Sequence, residues 1–246
     1  MSRLESIWRY PVSSFAGERL AAAEIGPKGV IGDRVYGAVD LRDGDIARPG
    51  KKPHWDGTPG IAARIAGEAV EIRALEGGAA SDAWLAAESD SAGTVLTAHF
   101  GFPVALRRHP APGLGAGTPT VAPRYELRHI HLLSRQSLAS LGRRVPETAI
   151  DERRFRPNLL VDLEGHAGDF PETDWPNGAE FTVGQARLRV VEPCRRCVFV
   201  TLRHGDQPRD PGVLRALAYH NNADLGTVCA VVTPGPVREG DAVRLG

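Results

Sequence analysis

Glu180-Phe-Thr-Val-Gly-Gln-Ala-Arg-Leu-Arg-Val-Val-Glu-Pro-Cys-Arg-Arg-Cys-Val-Phe-Val-Thr201 is the stretch that decides the architecture. Polar and apolar residues alternate over Glu180–Val183, Gly184-Gln185 turns the chain, and alternation resumes over Ala186–Val191. That period of two predicts strand, turn, strand. Past the Pro193-Cys194 turn, Arg195–Thr201 is expected to continue as a strand. Working outward, Gly226–Val232 and Ala242–Leu245 read as closing strands, with turns at Pro234-Gly235 and Glu239-Gly240-Asp241, and Val213–Tyr219 as a short helix. Upstream, Asn158–Leu163 and Ile130–Leu133 read as strands, and Ser134 is placed to cap a helix that Gly142 ends.

The first half repeats the pattern. Leu4–Tyr10, Leu20–Ile25 and Gly32–Asp40 are expected as strands, Asp43-Gly44 as a hairpin signal, and the first fifty residues as a β-meander. A breaker-rich loop over 49–60 precedes an alternating segment, Ala62–Arg73. Asp82–Ala87 and Val95–Phe100 are expected as short helices, and Val104–Leu106 as a strand. Pro110–Pro123 reads as a long connector, which divides the chain into residues 1–110 and 111–246. With 28 glycines and 19 prolines and few amphipathic helical stretches, the expected class is mainly β with a few short helices (α+β), built on a β-barrel.

At 246 residues the chain is long enough to bury roughly 70–75 % of its unfolded surface. Lys plus Arg and Asp plus Glu balance at 30 each, so no net field draws it to nucleic acid or an anionic membrane. The N-terminus has no apolar signal run, and no stretch is apolar enough to span a bilayer, which predicts a cytoplasmic protein. Three cysteines are too few for a disulfide scaffold.

The chemistry concentrates in two segments. Cys194 and Cys197 flank Arg195 and Arg196, and guanidinium groups favour the thiolate that a nucleophile or a soft-metal ligand requires. On residue chemistry alone this reading stands level with that of small buried hydrophobes. Two more Cys or His ligands at close spacing are missing for structural zinc, and the flanks are strand-like rather than the helix start of a dithiol exchanger. Asp151-Glu-Arg-Arg-Phe-Arg-Pro-Asn158 offers three arginines and an amide, a set suited to gripping phosphate while reading a heterocycle edge. Ser13, Ser14, Arg34 and Arg48 are further anion-binding candidates. His129 and His131 share a strand face with no carboxylate partner nearby, so a fold-stabilising or surface role is expected of both.

Tyr10-Pro-Val-Ser-Ser14, Gly32-Asp-Arg34, His131-Leu-Leu-Ser134, Arg154-Phe-Arg-Pro-Asn158, Cys194-Arg-Arg-Cys197 and Gly240-Asp241 occur in the order of MOSC-domain proteins. The chain resembles this family, the molybdenum-cofactor-sulfurase C-terminal domains, along nearly its whole length. The resemblance implies a MOSC β-barrel packed on a smaller N-terminal β domain, with the molybdenum cofactor between them. It implies Cys197 as the metal ligand and catalytic centre and Arg34, Arg156 and Asn158 as cofactor-binding residues, and Ser13, Ser14, Arg48, Ser134 and Arg196 complete the expected cofactor-binding set. By similarity to amidoxime-reducing members, the expected activity is reduction of N-hydroxylated small molecules, with electrons from a separate donor protein, since no nicotinamide fingerprint or iron–sulfur cysteine set is present. Ser13 stands where those relatives carry lysine, and Leu202–Pro211 lacks their Asp-Pro-x-Thr-Gly pattern. Two alternatives are sulfur transfer through a Cys197 persulfide and cofactor binding without catalysis.

Overall fold

A computed structural model describes residues 1–75, 83–109, 129–165 and 168–246. The N-terminal half carries β1 (Arg3–Arg9), β2 (Glu18–Leu20), β3 (Ala22–Gly26), β4 (Gly29–Val30), β5 (Tyr36–Asp40), β6 (Ile61–Ala66), β7 (Ala69–Ala74), β8 (Leu85–Ala86), α1 (Asp90–Phe100) and β9 (Val104–Arg108). The C-terminal half carries β10 (Ile130–Ser134), α2 (Arg135–Arg144), β11 (Leu159–Asp162), β12 (Glu180–Val183), β13 (Ala186–Arg195), α3 (Pro211–Asn221), β14 (Asp224–Thr233), β15 (Gly235–Arg238) and β16 (Val243–Leu245). The class is the mainly β one expected.

Eight strands form one curled sheet in the order β16-β12-β13-β14-β10-β11-β1-β2. It curls until β1 meets the last strand: Leu4 N–H donates to Asp241 O and Val243 N–H to Ser2 O, at 2.8 and 2.9 Å. This closure satisfies backbone groups that an open edge would leave free. Inward residues of alternate strands, among them Leu4, Ile7, Leu132, Val161, Phe181 and Leu188, fill the barrel. A second core in the N-terminal half packs Phe15, Trp55, Ile61, Ile72, Leu96 and Phe102. A third, with Leu133, Leu141, Phe155, Val213 and Leu217, seats α2 and α3 against the barrel.

Local signals in the sequence place most helix ends. Ser134 accepts from Ser137 N–H and caps α2, and Ser89 does the same for α1, which ends at left-handed Gly101. Asp210 caps α3, with Pro211 at its first turn. Gly142 does not end α2; the helix runs through it to Arg144.

Several expectations fail where pairing is long-range. The first fifty residues are not a meander: β1 and β2 join the barrel, β3 pairs with β15, and β5 pairs with β9. Gly235 accordingly opens a strand rather than a turn. Leu85–Ala86 is a strand on β7 and not part of a helix, because tertiary pairing overrides the intrinsic helix propensity of leucine and alanine. The connector Pro110–Pro123 lies outside the described residues. Past Arg195 the chain leaves the strand, and Val198–Thr201 coils into a 3-10 turn instead of extending β13. Among the described residues no helix is long and apolar enough to cross a membrane.

Candidate functional site

An open cleft of about 710 Å³ lies where the Ser13–Arg34 region meets the ends of β10, β13 and β14. It collects Ser13, Ser14, Arg34, Arg156, Asn158, Arg196 and Cys197 from segments far apart in the chain. Arg48 is exposed and does not line it, although the adjacent Pro49 does. Ser134 does not line it either, which corrects its expected cofactor role. Besides capping α2, its hydroxyl donates to the fully buried carboxylate of Glu172, which Ser137 Oγ also reaches at 2.7 Å.

The three arginines of 153–156 have three fates. A 3-10 turn over Glu152–Arg154 separates them in direction. Arg153 points outward to Asp151 and Asp206. Arg154 is wholly buried and donates to the carbonyls of Val200, Leu202 and Pro208 at 2.9–3.0 Å. It thereby ties down the segment that follows Cys197. Arg156 alone lines the cleft, its guanidinium 4.1 Å from the centre of the Tyr10 ring. Asn158 was expected to read a heterocycle edge, but its amide is already engaged. Oδ1 accepts from His131 N–H at 3.1 Å and from Arg34 at 3.4 Å, and Nδ2 donates to Trp8 O at 3.3 Å. It is a strut joining β10 to the Arg34 segment, and Arg34 also pairs with Asp33.

Backbone strain gathers at this cleft. Of the five non-glycine residues with positive φ among the described residues, namely Ser14, Arg34, Arg156, Asn222 and Ala223, the first four line it. Such conformations cost on the order of 1 kcal/mol or more each, and persist where surrounding structure enforces them.

The two cysteines differ sharply. Cys197 is exposed at the cleft, whereas Cys194 is half-buried in a bulge of β13 between Pro193 and Arg195. Arg196 Nη1 donates to Cys194 Sγ at 3.0 Å. From β10, two strands away, the His131 ring crosses β14 at Gly226 to reach the same sulfur. A Cβ on Gly226 would sit 2.4 Å from His131 Nε2, so only glycine leaves the passage open. Burial pushes the Cys194 thiol up, but His131 and Arg196 more than offset it and hold the pKa at about 6. His131 Nδ1 and Nε2 lie 3.3 and 3.2 Å from the carbonyl oxygens of Arg156 and Leu225, which fix the ring's orientation. Cys229 is sealed in the barrel core and burial raises its thiol far above the ordinary range.

Sequence reasoning thus missed His131 as a cleft residue, and on residue chemistry alone it did not separate Cys194 from Cys197. It also missed Asn222 and Asp224, which line the cleft beside them. The pair Asn221-Asn222 after a helical stretch was a usable signal for a left-handed cap there. His129 does have the fold-stabilising role expected: its Nδ1 accepts from Val231 N–H at 3.1 Å.

The cleft suits an anionic, phosphate-bearing heterocycle. Four arginines, Arg34, Arg156, Arg195 and Arg196, line the cleft with two carboxylates, Glu192 and Asp224, and Asp33 pairs with Arg34. The buried Nε of Arg196 has no hydrogen-bond partner among the described residues, leaving a donor for a bound group. No cluster of three or more His, Cys, Asp or Glu suited to a metal occurs among the described residues, so a metal here would need ligands brought by an organic cofactor.

Comparison with known proteins agrees with the fold. Residues 116–244 match the MOSC domain model, and residues 1–74 match the MOSC N-terminal beta barrel domain model. The crystal structure of the YuaD protein from Bacillus subtilis superposes with a TM-score of 0.52 at 14 % identity, covering 100 % of this chain and 96 % of that one. YiiM from Escherichia coli is 24 % identical over 48 % of this chain and 54 % of its own, with a TM-score of 0.37. No curated protein matches the chain.

Proposed function

We propose a molybdenum-cofactor function on the premise that the chain belongs to the MOSC family, whose two domain models match residues 1–74 and 116–244. Members of this family bind that cofactor. In our reading Cys197 anchors the metal, while Arg34, Arg156 and the hydroxyls of Ser13 and Ser14 hold the pterin phosphate. Arg196 offers its orphaned Nε to the pterin. When bound, this cofactor supplies a metal that cycles between oxidation states two electrons apart. The reaction proposed is reduction of an N-hydroxylated small molecule, with a separate protein as electron donor.

The observation that carries this reading is the convergence of an exposed thiol, four arginines and two serine hydroxyls on one strained cleft. Ser13, where lysine was expected, is the weakest anion ligand of the set. Its hydroxyl lies 3.2 Å from His109 Nε2, so a second polar group stands behind it.

Metal and pterin analysis of protein made in a molybdenum-sufficient host tests the reading. Stoichiometric molybdenum in the wild type, lost in Cys197→Ala, supports it; metal retained by Cys197→Ala excludes Cys197 as the anchor. The Cys194 thiolate favours a second reading, in which a cysteine of this cleft carries a persulfide to an acceptor. Sulfur transfer by molybdenum-free protein would replace the first reading with this one. Stoichiometric cofactor without turnover on any N-hydroxylated substrate would reduce the function to cofactor binding.

A further inference from the structure

We propose that Asp224 is the proton donor to the oxygen that leaves the substrate in this cleft, an inference that rests on the reductive reading above. Asp224 opens β14 directly opposite Arg195 and lines the cleft with Cys194 and Cys197. Its backbone is held by three hydrogen bonds around it: Arg196 N–H to Ala223 O at 2.8 Å, Ala223 N–H to Leu217 O at 2.9 Å, and Asn221 Nδ2 to Asp224 O at 2.9 Å.

The path to this position is strained. Asn222 and Ala223 are both left-handed, with φ of 50° and 62°. Asn tolerates this as a helix cap, but alanine does so at a cost of about 1 kcal/mol. The fold keeps that cost, and its result is a carboxyl group set at the cleft wall.

Glu192 and Asp224 are the two carboxyl groups that line the cleft, and the thiolate, imidazole and guanidinium groups beside them are poorly suited to giving a proton. Cys194 is a thiolate at neutral pH. Both ring nitrogens of His131 are turned to carbonyl oxygens, and the residue is buried. The arginines stay protonated. Asp224 forms no ion pair among the described residues, and burial raises its pKa, with Glu192 adding to the rise while Arg195 and Asn222 oppose it. A carboxyl group at the cleft wall whose proton is held more tightly than that of an ordinary aspartate is shifted in the direction that general acid catalysis requires.

The step balances as follows for a hydroxylamine-type substrate, R–NH–OH. The N–O bond breaks with its electron pair on oxygen, and the hydroxide takes the Asp224 proton and leaves as water. Nitrogen recovers an electron pair from the reductant, two one-electron equivalents of reduced viologen in the assay, and a proton from solvent. Solvent then reprotonates Asp224.

The experiment compares wild type, Asp224→Asn and Asp224→Glu in three measurements: molybdenum content, pH-dependent kinetics of amidoxime reduction by reduced viologen, and the carboxyl titration of Asp224 by carbon-13 NMR in cofactor-free protein. We expect Asp224→Asn to keep its molybdenum and KM while kcat falls roughly 100-fold. Asp224→Glu should recover most of the rate. Wild-type kcat should fall as pH rises through the Asp224 pKa, and the Asn variant should lack that limb. An Asn variant with kcat within threefold of wild type overturns the proposal. So does an Asp224 carboxyl that titrates with the surface aspartates. Wild-type protein without molybdenum would defeat the cofactor reading alone, and the NMR titration would then decide whether Asp224 is an acid of this cleft.

Discussion

The thiolate state of Cys194 is a quantity that a few substitutions move by a calculable amount. With its pKa at about 6 rather than the ordinary 9.0, about 90 % of the sulfur is ionised at pH 7, against about 1 % for an unperturbed thiol. Arg196→Gln removes the 3.0 Å charged contact and should raise the pKa. His131→Ala removes the other and leaves Arg196 alone to oppose burial, so the pKa should rise here as well. The assay is iodoacetamide labelling of cofactor-free protein with site identification by mass spectrometry, run from pH 5 to 10. Wild type should label Cys194 with a midpoint near 6, and each variant with a higher midpoint and a slower rate at pH 7. His131→Ala also strips the Arg156 and Leu225 carbonyls of a partner, so a melting curve accompanies each titration. The linkage has a definite sign. A folded pKa below the unfolded one contributes stability that is complete above about pH 9 and lost as pH falls toward about 6. The stability difference between wild type and Cys194→Ser should therefore widen over that window. A Cys194 midpoint near 9 in a folded wild-type protein would refute the His131–Arg196 argument.

Two substitutions test the scaffold behind the site. Arg154→Met strands the carbonyls of Val200, Leu202 and Pro208 in a fully buried position, and should cost about 3–5 kcal/mol in urea denaturation; a loss under 1 kcal/mol would mean that water replaces the guanidinium. Gly226→Ala combines a φ of 78° with a Cβ 2.4 Å from His131 Nε2. It should lower the melting temperature and raise the Cys194 midpoint together, and a change in neither would show that the His131 crossing tolerates a side chain.

What the sequence disclosed and what it hid divide along physical lines. The strand Glu180–Val183 and the caps at Ser134 and Gly101 were legible because alternation and capping are local. Sheet membership was not. Nothing in Ala22–Gly26 states that its partner is Gly235–Arg238, and a meander was the cheapest reading of neighbouring strands. The arginines at 153, 154 and 156 are equivalent as letters, and only the turn at 152–154 sends one to solvent, one to the core and one to the cleft. The family pattern placed Ser134 in the site, whereas its hydroxyl is consumed by a cap and a buried carboxylate.

The cysteines show why a site can be misweighted even when its motif is recognised. In the sequence, Cys194 and Cys197 share the same arginines, so local electrostatics cannot rank them. The charge that separates them comes from His131 on another strand, admitted by a glycine on a third. Cys197, exposed and without that partner, is left available to a ligand that brings its own charge, while Cys194 is ionised by the protein itself. The same β13–β14 contact that bulges at Cys194 holds Asp224 opposite Arg195. A substitution that relaxed the bulge would therefore be expected to disturb thiolate and acid together, and the Asp224 and Cys194 titrations recorded on one such variant would reveal that coupling.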